Sequence, residues 1–155
     1  MNVRFAREEE LDRVNGLRRQ VNDLHAAGKP DVFKPGFSPE MRDFIRVIWD
    51  DPEKEILVAE QAGTICGYAV LHLVHRPENP SKLARSYLDV DEFGVDRAFW
   101  RRGVATAMID FIRAFARKKG LRRIELNMWE FNKDALAFYE AVGFSTYRRY
   151  MEMDL

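Results

Sequence analysis

The chain holds one cysteine, Cys66, and three histidines in 155 residues. A single thiol excludes an internal disulfide and any zinc site built from several thiolates, and makes a reducing, cytoplasmic location the expectation. Net charge is missing as well, because 25 Lys+Arg balance 25 Asp+Glu. Nucleic acids and anionic membranes are bound through a basic face, so neither is expected as a partner. The longest apolar run, Tyr68 to Leu71 with Leu73 and Val74 after His72, is far too short to cross a bilayer. Arg4, Arg7, Glu8, Glu9 and Glu10 interrupt the N-terminus where a signal peptide would be apolar. Neither G-x-x-x-x-G-K-[ST] nor G-x-G-x-x-G occurs, which sets aside the common nucleotide-binding loops. His72 and His75 make an H-x-x-H, but on a strand positions i and i+3 point to opposite faces. With no Cys or helical Glu to complete a set, no metal is expected.

What remains is 46% apolar and 32% charged residues, the composition of one soluble globular domain over 1–155. Val3 to Ala6 reads as a short strand. Glu8 to Ala27 reads as a helix with Leu11, Val14, Leu17, Val21 and Leu24 on one stripe, ended by Gly28 and Pro30. A loop over Lys29 to Phe37 leads to Ser38-Pro39, an N-cap and first-turn proline. The helix they open should bury Met41, Phe44, Ile45 and Ile48. Ile56 to Glu60 and Ile65 to Val74 are β-branched runs joined by Gln61-Ala62-Gly63-Thr64, a hairpin. Strand Arg85–Val95, helix Val104–Lys119, strand Ile124–Met128, helix Lys133–Ala141 and a last strand region over Phe144–Leu155 follow. Strand, helix, strand in the second half requires a parallel pair, whereas the hairpins are antiparallel. The expected fold is α/β (α+β), with a mixed, mostly antiparallel central sheet and helices on both faces.

The strand Arg85–Val95 carries an irregularity of its own. Leu88 and Val90 are apolar at even positions, Phe93 and Val95 at odd ones. Side chains alternate faces, so the inward set slips by one residue across Asp91-Glu92, and a β-bulge there is the simplest repair. Beyond this strand lies Trp100-Arg101-Arg102-Gly103-Val104-Ala105-Thr106, a turn that opens a helix. Unpaired N–H groups and the positive end of the helix dipole make such a turn a seat for phosphate, and Gly103 and Ala105 let an anion approach the backbone. Further on, Asn132 is placed to cap a helix on which Asn132, Ala135 and Tyr139 share one face.

These two motifs, with Gly143-Phe144 after the second, resemble the GNAT superfamily of acyl-CoA-dependent N-acetyltransferases. Gly103 and Ala105 match the small positions of its pyrophosphate loop, [QR]-x-x-G-x-[GA], while Trp100 stands where that loop begins with Gln or Arg. The resemblance implies acetyl-CoA as co-substrate and direct transfer of acetyl to a primary amine. It implies Asn132 as a cofactor-holding residue and Tyr139 as the acid that protonates the departing thiolate. It also implies pyrophosphate on backbone N–H groups around Arg101, Arg102, Gly103, Val104, Ala105 and Thr106, with pantetheine along Phe93, Gly94, Val95 and Met128. The bulge makes room for that arm, and the N–H of Val95 would hold the oxyanion. Amine attack needs a base, for which Asp91 ranks first and Glu92 second, with Asp89 two residues earlier. The acceptor is expected to be a small molecule in an aromatic-lined pocket formed partly by Lys29–Phe37. Polyamine, amino acid and aminoglycoside remain open there, with a peptide or protein acceptor and a non-catalytic acyl-CoA-binding module as alternatives. A shortened C-terminal hairpin would leave an edge free for homodimer pairing.

Overall fold

Strand β1 spans Asn2–Phe5, β2 Lys54–Gln61, β3 Thr64–Arg76, β4 Arg85–Val95 and β5 Ile124–Leu126, in a computed structural model that describes all 155 residues. Helix α1 spans Leu11–Gly28 after a 3-10 turn over Glu8–Glu10, and α2 Pro39–Trp49, α3 Val104–Lys118 and α4 Lys133–Ala141 follow. The five strands lie in the order β1-β2-β3-β4-β5; all pairs are antiparallel except β4 with β5. This is the mixed sheet expected from the sequence.

Alternation along the strands sorts the core into two layers. Leu57, Ala59, Cys66, Ala69, Leu71, Leu88 and Val90 face α3, meeting Val104, Met108, Ile109, Ile112 and Phe115. Phe138 of α4 and Val142 just after it join that layer at its margin. On the other face Ile56, Val58, Ile65, Tyr68 and Val70 meet Leu11, Val14 and Leu17 of α1 and Ile45 and Ile48 of α2. Cys66 is a buried core residue whose thiol reaches the Ala59 carbonyl.

Two expectations need correcting. Phe44 is 48% exposed, not buried. Helix α2 seats only the narrow stripe of Ile45 and Ile48 on β2, and Phe44 lies beside that stripe, towards solvent. Residues 144–155 form no strand. After Phe144, whose N–H donates to the Tyr139 carbonyl, the backbone enters no ladder. Side chains tether the segment instead: Tyr147 donates to Glu125 at 2.8 Å and Lys29 to Glu152 at 2.7 Å.

The corner between β1 and α1 is held by Glu10, whose side chain is 9% exposed. Its carboxylate accepts from Arg4, from the Arg7 side chain and from the Arg7 backbone N–H. The Arg4 bonds, opposed by burial and aided by Arg7, hold its pKa down at about 2. A lowered carboxylate stabilises the fold above its unfolded pKa and loses that contribution as pH falls towards 2. Glu10→Gln is therefore expected to cost about 2 kcal/mol at pH 7, and the difference should shrink in urea titrations below pH 4.

Candidate active site

β4 and β5 stay paired for only three residues, Leu88↔Ile124, Asp89↔Glu125 and Val90↔Leu126. The pairing ends where β4 bulges. Val70 of β3 stands opposite Glu92 while its neighbour Leu71 stands opposite Val90, which leaves Asp91 as the extra residue. The phase slip in the sequence located this bulge to the residue pair. Beyond it β4 continues to Val95 against β3 alone, so its other edge is open. β5 stops at Leu126, short of the Met128 expected, because it no longer has β4 beside it.

On the α1 side, one row crosses four strands in register: Lys54, His72, Asp89 and Glu125. The bulge swings Asp91 into the row, 2.9 Å from the Lys54 ammonium and 4.0 Å from His72 Nδ1. Burial first, and then the neighbouring Asp91 and Glu125 carboxylates, push Asp89 up to about 7. Beyond burial, the like charge of Asp91 beside it is what makes ionising Asp89 costly. Burial works to raise Glu125, but Tyr147, Arg123 and Arg85 outweigh it and keep that carboxyl below its usual range. His75 lies off the row, against the Ser86 hydroxyl.

Glu92 has a different setting. Arg18 grips it with two bonds of 2.9 and 3.0 Å, and the Tyr68 hydroxyl donates to it at 3.1 Å. Arg18 is itself held by Asn15 and the Met41 carbonyl. Such a fork–fork pair fixes α1 to β4 and ties both Glu92 oxygens to Arg18. Gly94 follows, where a Cβ would stand 2.7 Å from both the Tyr68 ring and Val21. Its lack of a side chain lets α1 close on the strand.

Tyr139 approaches the open edge from the α3 and α4 side. Its ring meets Phe93 edge-on at 6.2 Å and Phe144 at 5.7 Å. Burial pushes the phenol up to about 12, so it stays protonated through neutral pH. No protein group hydrogen-bonds to its hydroxyl. Asn132 caps α4, its side chain accepting from the Ala135 N–H at 3.1 Å.

The turn before α3 ends in Gly103, left-handed at φ 79°, with no side chain capping the helix. Ala107 N–H is the first to bond back, to Gly103. The N–H groups of Val104, Ala105 and Thr106 therefore lack intrahelical partners. Val104 turns its side chain into the core, so only its backbone faces the turn. Arg101 and Arg102 are exposed, and Arg102 lies over the Phe99 ring at 5.4 Å. Small residues, open amides and two cations suit a diphosphate, and the bare edge of β4 suits an extended amide chain. These residues fit the two halves of CoA. Met128 lies two residues beyond the end of β5, half-buried.

Sequence reasoning placed the base among Asp91 and Glu92 and gave Asp89 less weight. The signal for Asp89 lies in the strand register, because its burial and its neighbours come from β3 and β5. A further panel also escaped it. His25, Phe33, Trp129 and Phe131 pack ring against ring, tilted or edge-on, from α1 to the β5–α4 loop, with His25 4.9 Å from Phe33 and Phe33 5.0 Å from Trp129.

The Acetyltransferase (GNAT) family model matches residues 18–144. An uncharacterized N-acetyltransferase of Methanocaldococcus jannaschii is 38% identical over 60 residues, 39% of this chain. The chain spans about a quarter of that relative's length, 26%. Among solved structures, a tetramutant of the BH1408 protein from Bacillus halodurans superposes with a TM-score of 0.94 at 24% identity, with all of both chains covered. The aminoglycoside N-acetyltransferase AAC(6')-Iy in complex with CoA superposes at 0.77 with 19% identity, over 99% of this chain and 93% of that one. At these identities the superpositions speak for the fold. The family match extends over most of the chain and includes the bulge, the open strand edge and the uncapped helix. The chain belongs to the GNAT family of acetyltransferases.

Proposed function

We propose that this protein is a cytoplasmic N-acetyltransferase that moves acetyl from acetyl-CoA to the primary amine of a small molecule. The observation that carries the reading is the opening of β4 from β5 at the Asp91 bulge, with carboxyls on one side and a free phenol on the other. Acetyl-CoA supplies an activated thioester. The amides of Val104, Ala105 and Thr106 hold its diphosphate, helped by Arg101 and Arg102. Phe93 and Val95 offer backbone rungs to the pantetheine, and the Val95 N–H stabilises charge developing on the carbonyl oxygen. Asn132 and Met128 border the arm.

The acceptor enters from the α1 side. Its amine must be neutral to attack, and the Asp89–Asp91 pair takes the proton, directly or through water. Asp91 is paired with Lys54 at 2.9 Å, and Asp89, lifted to about 7 by burial and its neighbours, is the member that gains and loses the proton. Glu92 positions α1 through Arg18. Tyr139 then donates to the leaving sulfur. The aromatic panel of His25, Phe33, Trp129 and Phe131 borders the acceptor side, which favours a compact amine over a long peptide. The CoA complex of AAC(6')-Iy and a second one with a bisubstrate analog, CoA-S-monomethyl-acetylneamine, lend the small-amine reading support.

A free-thiol release screen with acetyl-CoA tests this against polyamines, amino acids, aminoglycosides and peptides. Turnover with a small amine is the expected result. Release only with peptides would move the acceptor to proteins. Tight CoA binding with no release from any amine would make the chain a binding module.

A further inference from the structure

Trp100 departs from the family's loop pattern, and its place in the structure gives it work that a charged residue would do differently. The Asp96 N–H donates to Cys66 of β3 at 2.8 Å. A trans peptide sets the Val95 carbonyl on the opposite side, towards the open edge of β4. The Trp100 indole N–H donates to that carbonyl at 2.8 Å. Residues 95 to 100 thus close into a ring. Its near end is tied by Asp96, which accepts from Arg13 at 2.6 Å and from the Ala98 N–H. Immediately after the ring, Arg101 has a left-handed φ of 60°, one of two non-glycine residues with positive φ in the chain. Such a conformation costs free energy and persists only where both flanks impose it. Here the flanks are the Trp100 bond and the start of α3 at Gly103.

We infer that Trp100 is the positioning residue of the phosphate-binding turn: its indole fastens the turn to the last open-edge carbonyl of β4 and so aims the amides of Val104, Ala105 and Thr106. The inference rests on the acetyl-CoA reading above. It also makes Val95 asymmetric, since the indole takes its carbonyl and leaves its N–H for the substrate. A charged side chain at position 100 would reach a phosphate directly. Trp100 acts through the backbone, by holding the turn in its binding shape before the ligand arrives.

Calorimetry with CoA on the intact chain tests it, using Trp100→Phe, which keeps a ring and removes the donor, and Trp49→Phe, on the far face of the sheet from α3, as a control for loss of an indole elsewhere. The expected result is CoA affinity about tenfold weaker in Trp100→Phe and unchanged in Trp49→Phe, with the melting temperature of Trp100→Phe within about 2 °C of wild type. Equal affinity in Trp100→Phe and wild type overturns the inference while leaving the acetyl-CoA reading intact. Weaker binding that comes with a melting point many degrees lower also overturns it, as a purely structural role. Wild-type protein that does not bind CoA overturns the parent reading and this one together.

Discussion

Replacing Asp89 by Asn is expected to lower kcat/KM with an accepted amine by about 10²–10³-fold, and to raise the melting temperature at pH 8. Both effects come from one cause. Burial and the adjacent Asp91 and Glu125 carboxylates resist ionisation of Asp89 and lift its pKa to about 7. A raised carboxyl contributes stability that is fully present below its unfolded value near 4 and is lost as pH rises through 7. At pH 8 the native fold holds an ionised carboxylate in a place that disfavours it, and Asn removes that cost. The melting advantage should disappear near pH 4, where wild-type Asp89 is already neutral. Catalysis runs the other way, because only ionised Asp89 accepts a proton. Wild-type kcat/KM should therefore rise with pH along a limb centred near 7. Asp91→Asn removes a neighbouring negative charge and should move that limb to lower pH. Lys54→Ala removes a positive charge that lowers Asp89 and should move it higher. A limb that stays put in both variants would show that the Asp89 carboxyl does not control the rate.

Tyr139→Phe should reduce kcat about a hundredfold while the KM for acetyl-CoA stays within about twofold. The phenol is held among Phe93, Phe138 and Phe144 with its hydroxyl unbonded, so removing the oxygen disturbs little packing. The loss should depend on the leaving group. A thioester whose thiol is more acidic needs less help from a proton donor, so Tyr139→Phe should lose less with it. Equal losses for both thioesters would assign Tyr139 to placement of the substrate. A variant with full activity would remove it from the reaction.

Much of this site could be read along the chain because its determinants are local. The bulge is an example: alternation is a property of successive residues, so a one-residue slip between Val90 and Phe93 shows in the order of side chains alone. The uncapped start of α3 needs only Gly103 and the small residues after it. Asn132 caps α4 through a bond to a residue three positions on. Cys66 and the stripe of α3 follow from apolar spacing.

Other features were settled between segments far apart in the sequence. The fate of Phe44 depended on how narrow a seat β2 offers α2. The tail beyond Phe144 has strand-like residues, but a strand exists only with a ladder partner, and no edge of the sheet takes this one up. Asp91 and Glu92 are adjacent carboxylates, ranked first and second on paper by their place beside the bulge alone. Arg18, 74 residues away, made one of them a structural pair. Register across β2, β3, β4 and β5 put Lys54, His72, Asp89 and Glu125 in one row and gave Asp89 its altered proton affinity. The sequence by itself determined the family, the two motifs that carry the resemblance and the kink in β4, because backbone conformation and helix ends answer to neighbouring residues. The tertiary structure alone decided how the carboxyls around the bulge are buried and paired and what Trp100 holds, because desolvation, charge and hydrogen bonding act through space.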